Sequence, residues 1–361
     1  MRWLVTGGSG FIGTNLVAHL RDAGDEAVVL DDLSRDGSEL NAAYLATHLG
    51  LAVHRVDVSD AQALEAFFAE QGEFDAIAHT AGQVSLLSSI QDPRRDFEIN
   101  ALGTFNVLDH VRQKSPGTAV IGMSSNKVYG DLTEIPTVET ATRYTVPTFP
   151  HGFDESLPLD FHGPYGCSKG TADQYLLDFG RIYGLRTASL RQSSVYGPFQ
   201  HPRADQGWVA HLVEEALAGR PIQLNGIGKQ VRDLLHASDL ARLFVALAQT
   251  LVAGAPEAFN VGGGAGNSLS ILELFAWLEQ RTGRAPVEAE GPEWRLWVEC
   301  GVAFRRDGGD AGRAAARGRG GCSHAGLQSW QWLAAPRAVR PGGVAASCGS
   351  VNVPQVPMIV K

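Results

Sequence analysis

"TGGSGFIG", residues 6–13, places Gly7, Gly10 and Gly13 in a G-x-x-G-x-x-G pattern. The loop follows a short apolar run, "RWLVT" (2–6), and opens a segment with Ile12, Leu16, Val17 and Leu20 at helical spacing. Glycines let the backbone turn tightly and approach a pyrophosphate, which then rests on the N-terminal amides and the positive end of the helix dipole. Asp31 ends the next apolar run, "AVVL" (27–30), at the distance along the chain where an acid meets an adenosine ribose and repels a 2′-phosphate. That favours NAD over NADP. A glycine turn with no ligand is the alternative, and strand, helix and acid together weigh against it. Asp57 in "VDV" (56–58) has two readings, a partner for the adenine amine or an exposed turn aspartate.

Outward from this loop the chain keeps alternating. Strands are expected at 27–30, 51–58, 74–81 and 118–125, with helices at 11–22, near 60–70 and from about Asp96 to Gln113. Short apolar strands separated by helices predict an α/β fold, a Rossmann-type doubly wound parallel sheet covered on both faces. Residues 131–163 carry no periodicity and are rich in Pro, Thr and acids, and a loop of that length in a compact domain is usually functional. "PYGCSKGTADQYLLDFGRIYG" then reads as a long helix and "LRTASLRQS" as a further strand. "SILE" (270–273) predicts a capping box, Ser270 with Glu273, on a helix that stops at Gly283.

Composition narrows the function classes. With 39 Asp plus Glu against 30 Lys plus Arg the formal net charge is −9, which disfavours nucleic acid or an anionic membrane as partner but leaves room for a local cationic pocket. The four cysteines form no CxxC pair, and His151, His162, His201 and His236 show no ligand spacing, so no metal is expected. The glycine loop begins at Gly7, leaving no room for a signal peptide, and no apolar run is long enough to span a bilayer. A cytoplasmic location is the expectation.

"PYGCSK" (164–169) sets Tyr165 and Lys169 four apart on one helix face. A phenol with a reference pKa near 10 acts as a base at neutral pH only beside a cation, and Lys169 is placed to supply one. By itself this spacing is common on solvated helices. Its weight comes from the nucleotide loop and from Ser125, at the end of an earlier strand, which is able to share a substrate hydroxyl with Tyr165. With "HTAG", "SSNKVYG" and "VRDLLHASDL" in order, the chain resembles the extended short-chain dehydrogenase/reductase family over roughly residues 1–295. The resemblance implies NAD as cofactor, a nucleotide sugar as substrate, and Ser125, Tyr165 and Lys169 as catalytic, with Tyr165 and Lys169 also touching NAD. It further implies a cofactor site of Gly7, Gly10, Phe11, Ile12, Gly13, Asp31, Asp32, Ser34, Arg35, Asp57, Val58, Thr80, Ala81, Gly82 and Asn100, with residues 191–194 nearby. Gln83, Ser125, Asn126, Lys127, Ser193 and Arg232 are candidate substrate contacts. Arg232 matches the family position on the diphosphate, where a guanidinium fork suits the oxygens; a surface ion pair with Asp233 or Asp239 is its alternative. Gln83 and Lys127 have equally good supporting roles, and Trp208 in "DQGWV" (205–209) reads as a base-stacking or a core residue.

Longer stretches, above all residues 139–175, resemble the branch that inverts C2 of a CDP-linked deoxysugar. Members that eliminate water carry an Asp-Glu pair directly after the catalytic Ser or Thr, where this chain has Asn126 and Lys127. Neither residue replaces a carboxylic acid and base, so elimination is disfavoured. A C2 hydrogen with no adjacent carbonyl is too weakly acidic to leave as a proton, so inversion passes through hydride loss, a 2-keto sugar and hydride return. A UDP-hexose 4-epimerase and a non-catalytic NAD-binding protein are the rival readings. The family likeness also implies a homodimer or homotetramer, pairing through 101–113 and 165–183, and a place in surface-polysaccharide sugar synthesis.

The expected division is a cofactor unit at 1–185 with about 230–262, and a substrate unit at 186–229 with 263–295. From about Leu296 the sequence turns aperiodic and rich in Gly, Ala and Arg. The abrupt loss of resemblance reads as a reading-frame shift near 296, with natural divergence or a disordered appendage as alternatives. Under a frameshift, a diphosphate-binding arginine and a closing helix would be missing, with Arg295 as a partial substitute.

Overall fold

The strand β1 (Arg2–Thr6) shows why the sheet is covered twice. Its side chains alternate, with Trp3 and Val5 buried in one apolar cluster and Leu4 in another. The same division recurs in β2 (Glu26–Asp31), with Ala27 and Val29 on the first face and Val28 and Leu30 on the second. A period of two with apolar residues on both faces leaves neither face for water. The computed structural model describes residues 1–203, 206–224, 226–283, 285–286 and 288–289.

Seven parallel strands form the main sheet. β3 (Val53–Arg55) lies at one edge, followed by β2, β1, β4 (Ala76–His79), β5 (Ala119–Ser125), the strand Arg186–Gln192 and the strand Glu257–Val261. Helix α1 (Phe11–Asp22) and the helix Ala237–Thr250 cover the first face through Leu16, Val17, Leu20, Leu240 and Phe244. Phe67, Phe68, Leu108, Val111, Leu176 and Phe179 cover the other. The chain runs outward from β1 to β2 and β3, then returns to β4 on the opposite side of β1. This reversal of strand order opens a crevice at the carboxyl ends, where open α/β sheets hold ligands. A Rossmann-type doubly wound sheet is therefore what the alternating pattern builds.

Two strands fall differently from the expected division. Arg186–Gln192, assigned to the substrate side from sequence, pairs with β5 along its whole length and belongs to the main sheet. Val231–His236, assigned to the cofactor side, instead joins Ser194–Tyr196 in parallel and Ser268–Ser270 antiparallel. This small sheet packs with Leu212, Val213, Leu274, Phe275 and Leu278 into a second core. Short apolar strands carry no mark of which sheet they join, since that depends on partners distant in sequence. Single residue Ser193 separates the two sheets at one crossing, its N–H donating to Val261 O at 2.8 Å.

Other elements are also sharpened. The expected strand at 51–58 is ordered as a strand only over Val53–Arg55. The expected helix from Asp96 is broken into Pro93–Phe97, a π-helical turn at Glu98–Leu102 and Gly103–Lys114. The Ser270–Glu273 capping box is present, and its helix ends at Gly283 with φ +69°. The aperiodic 131–163 stretch is tied down: Asp160 N–H donates to Val128 O at 2.9 Å. Arg143 pairs with Glu273 and donates to Ser268 O at 3.0 Å. The expectations for Asp205, Arg295 and residues 296–361 lie outside the described residues. Among the described residues no helix is long and apolar enough to cross a membrane.

Candidate active site

The glycine loop is shaped by contacts that leave no room for a side chain. Gly7 sits at φ +65°, and a Cβ there would lie 2.6 Å from the backbone of Ala81. A Cβ at Gly13 would strike the Gly7 carbonyl oxygen and come within 2.6 Å of Gly8 Cα. The loop thus lies flat against the start of α1 and the end of β4.

Asp31 stands 7% exposed at the end of β2, accepting from Ser9 N–H at 2.9 Å and Leu33 N–H at 2.8 Å. Burial pushes its carboxyl above the ordinary range, and those amides draw it part of the way back. Beyond it, Arg95 donates to Asp57 at 2.7 Å and to Asp32 at 3.4 Å, tying both acids to the rim. For Asp57, burial is outweighed by the Ser59 hydroxyl and amide and by Arg95, which hold the carboxyl below its usual range. Asp57 is thus a paired acid, and Arg95, inside the charged run "DPRRDF", gave no sequence signal for this role.

The expected cofactor residues from Gly7 to Gly82 line a single cleft of about 1070 Å³, counting solvent at its mouth. Phe11, Ile12, Asp32, Ser34, Arg35, Val58, Thr80 and Ala81 are all on its walls. Sequence reasoning missed the far wall. There Phe199, His201, Gln206 and Gly207 fold over the β2 end, Arg35 bonds Gln206, and His201 Nε2 meets Asn41 Oδ1 at 3.0 Å, while Gln192, inside the expected 191–194 segment, lines the same cleft. Gln206 and Gly207 therefore face this cleft, whereas "DQGWV" was expected beside the substrate. Trp208 packs on the small core and donates to Ser194 Oγ at 3.0 Å.

Deeper in, Ser125, Tyr165 and Lys169 converge from β5 and the helix Gly163–Tyr183. The Ser125 hydroxyl acts on the Tyr165 phenol, drawing its pKa down, and accepts from Lys127 N–H at 3.2 Å. Tyr165 is 7% exposed and Lys169 5% exposed. Burial pushes the phenol up to about 12, against the pull of Ser125. Burial also brings Lys169 down to about 8, with Asp96 opposing. The Lys169 ammonium donates to Met123 O at 3.2 Å, and its Nζ would lie 2.7 Å from a Cβ on Gly82. Asn100, on the π-helical turn, abuts the same glycine. Its Nδ2 donates to Ser168 Oγ at 3.0 Å, while its Oδ1 is buried without a partner among the described residues.

Other expected substrate residues are divided. Asn126 and Lys127 form a 3-10 turn after Ser125, and Lys127 is brought down to about 7 by burial and by Arg232, with Asp131 opposing. Lys127 and Arg232 are therefore close enough for the guanidinium charge to act on the lysine. The Gln83 amide is held by Ser85 O at 2.8 Å and Asp96 at 3.0 Å. Ser193 bridges the sheets, its hydroxyl 3.5 Å from Asp233 O. Arg191, expected near the cofactor with residues 192–194, turns away from the cleft. It is 4% exposed and pairs with Asp173 through two bonds of 3.0 and 2.8 Å. Its third bond goes to Tyr129 Oη at 2.9 Å, and Tyr129 donates to Asn260 Oδ1 at 2.6 Å.

Residues 3–262 match the family model described as the NAD dependent epimerase/dehydratase family. The chain belongs to that family. It is 43% identical over 284 residues to CDP-paratose 2-epimerase of Salmonella typhi, covering 77% of this chain and 84% of that one. The crystal structure of Thermus thermophilus UDP-glucose 4-epimerase in complex with NAD superposes with a TM-score of 0.69 at 30% identity, over 88% of this chain and 93% of that one. DesIV, a dTDP-glucose 4,6-dehydratase from Streptomyces venezuelae with NAD and TYD bound, gives 0.72 at 27% identity, over 92% and 96%. Family and relatives together make the chain an NAD-dependent nucleotide-sugar epimerase. The cleft fits the cofactor on its own terms. The glycines leave a cradle that a side chain would fill, Asp31 lines the cleft at the end of β2, and Asn100 Oδ1 is an orphaned acceptor beside Lys169.

Proposed function

We propose that this epimerase inverts C2 of CDP-paratose to give CDP-tyvelose. The likeness to the Salmonella typhi enzyme carries the reading, and the Asn126–Lys127 pair supports it, because a dehydratase needs a carboxylic acid and base in that place. Gly7, Gly10 and Gly13 receive the pyrophosphate of NAD and Asp31 its ribose, while Asn100 and Lys169 meet the nicotinamide end. NAD bound there supplies the acceptor for the C2 hydride and gives it back.

Tyr165 takes the proton of the C2 hydroxyl and later returns it. Ser125, which acts on the phenol, orients that hydroxyl. Burial opposes the phenolate, so the Lys169 ammonium is needed to stabilise it. The 2-keto sugar would offer its other face before reduction. Arg232 and Lys127 supply the local cations that a nucleotide diphosphate requires in an otherwise acidic protein. Incubation of the protein with CDP-paratose and, separately, UDP-galactose, followed by NMR, tests the assignment. Epimerisation of the CDP sugar is expected, and turnover of the UDP sugar alone defeats it.

The Thermus 4-epimerase likeness favours the one rival worth keeping, UDP-hexose 4-epimerisation by the same residues. A non-catalytic NAD binder would show no transient reduced-nicotinamide absorbance on adding either sugar. We also propose a homodimer through the helix Gly163–Tyr183, where Tyr175, Ile182 and Tyr183 are 40%, 62% and 50% exposed. Sedimentation as a monomer would remove that assembly.

A further inference from the structure

One buried acid close to the proposed proton-transfer pair has no role in the reading above. Asp96, 1% exposed, lies on the short helix that leads into the π-helical turn. Its Oδ1 accepts from Gln83 Nε2 at 3.0 Å and from Asn100 Nδ2 at 3.1 Å. Oδ2 is buried with no well-formed hydrogen bond among the described residues, although the Ser168 hydroxyl acts on the carboxyl. A carboxylate removed from water to this extent needs a cation. The arginines of its own helix are engaged elsewhere, Arg94 with Glu98 at 3.4 Å and Arg95 with Asp57 at 2.7 Å. Burial pushes the Asp96 carboxyl up, and the cation whose charge acts against that burial is Lys169. Asn100 links Asp96 to Ser168, the chain neighbour of Lys169, and Asn100 Oδ1 and Lys169 Nζ crowd the same glycine.

We propose that Asp96 is a positioning residue whose ionised carboxyl sets the charge of Lys169 and the proton affinity of Tyr165. The proposal rests on the reading of Tyr165 and Lys169 as the proton-transfer pair. Its direction follows from the charges present. Asp96 works against the burial that lowers Lys169 and adds to the burial that raises Tyr165. His79, the other titratable group acting with Lys169, is held neutral by burial, down to about 3. Gln83, Asn100, Ser125 and Ser168 carry no charge. Removing the negative charge stabilises the deprotonated form of both neighbours, so both pKa values must fall together.

Asp96→Asn tests this, because its Oδ1 still accepts from Gln83 and Asn100. In the NAD-loaded protein, phenolate absorbance is assigned to Tyr165 by difference from Tyr165→Phe. It is expected to titrate about one pH unit lower in Asp96→Asn, a tenfold change in proton affinity, and at the wild-type position in Asp96→Glu. Both limbs of the turnover pH profile then slide downward, with KM for the sugar unchanged. An unmoved or raised Tyr165 titration overturns the proposal, as does an activity loss by one factor at every pH. Should Asp96→Asn fail to fold, carbon-13 NMR of the Asp96 carboxyl in the unaltered protein decides: ionised at pH 7 supports the proposal, protonated overturns it. The titration needs no substrate, so a wrong sugar assignment leaves it intact. Full turnover by Tyr165→Phe would instead break the functional reading alone.

Discussion

The glycine-lined cleft and the small sheet of this molecule are built by different rules. The cofactor cleft takes its glycines, its ribose acid and its floor from β1, β2 and β4, which are adjacent in space and follow closely in sequence. The small sheet opposite gathers Ser194–Tyr196, Val231–His236 and Ser268–Ser270 from three distant stretches. The first region is over-determined, since almost every backbone position there is fixed by a steric limit or a hydrogen bond. The second is held by long-range strand pairing and apolar packing. A family that keeps one cofactor while exchanging sugars has reason to be arranged this way, because the variable side can change without disturbing the cradle.

Variants on either side test that contrast. The largest effect is expected from Tyr165→Phe, which should lower kcat about a thousandfold while the purified protein still carries NAD. Loss of the cofactor with the activity would show that the two sides are not separable. Next, Asp173→Asn strands the buried Arg191 guanidinium and should cost about 3 kcal/mol of unfolding free energy, read by denaturant titration. Because Arg191 also reaches Tyr129, the loss should appear as stability first. Gly13→Ala forces a Cβ into the Gly7 carbonyl, and the resulting displacement of the loop should weaken NAD binding about a hundredfold, measured by calorimetry on stripped protein. Arg232→Met should leave NAD retention alone and raise KM for the nucleotide sugar about tenfold, as loss of one charge-assisted hydrogen bond requires.

The smallest effect is a pH dependence. His79 is buried between Thr6 at 2.8 Å and Thr104 at 3.1 Å, with its pKa brought down to about 3. The unfolded chain therefore binds a proton that the folded one refuses, and stability falls with pH below the unfolded value near 6.5. Between pH 6.5 and 5.5 this amounts to about 1 kcal/mol. His79→Gln should flatten that slope relative to wild type, and an equal slope in both proteins would assign the acid sensitivity elsewhere.

Much of this was readable in the residues. Glycine spacing and the alternation of apolar runs specify the main sheet because each rule is local: a tight turn, a helix start, a buried strand. The capping box of Ser270 and Glu273 was legible for the same reason. Arg95, Asp96 and the Asp173–Arg191–Tyr129 network were not, because their meaning lies in which way a side chain points after distant segments meet. The π-helical turn that sets Asn100 was invisible too, since one extra residue in a helical turn leaves no compositional trace. Which sheets 186–192 and 231–236 join was hidden for the same reason.

The crossing at Ser193 has a practical side. The chain passes from one sheet to the other there, comes back at Ala237 to cover the main sheet, and enters the small sheet again at Ser268. The small sheet is therefore not a cassette. Grafting a new specificity onto this scaffold requires three joints rather than one, and the first must be made within a single peptide unit of the cofactor strand.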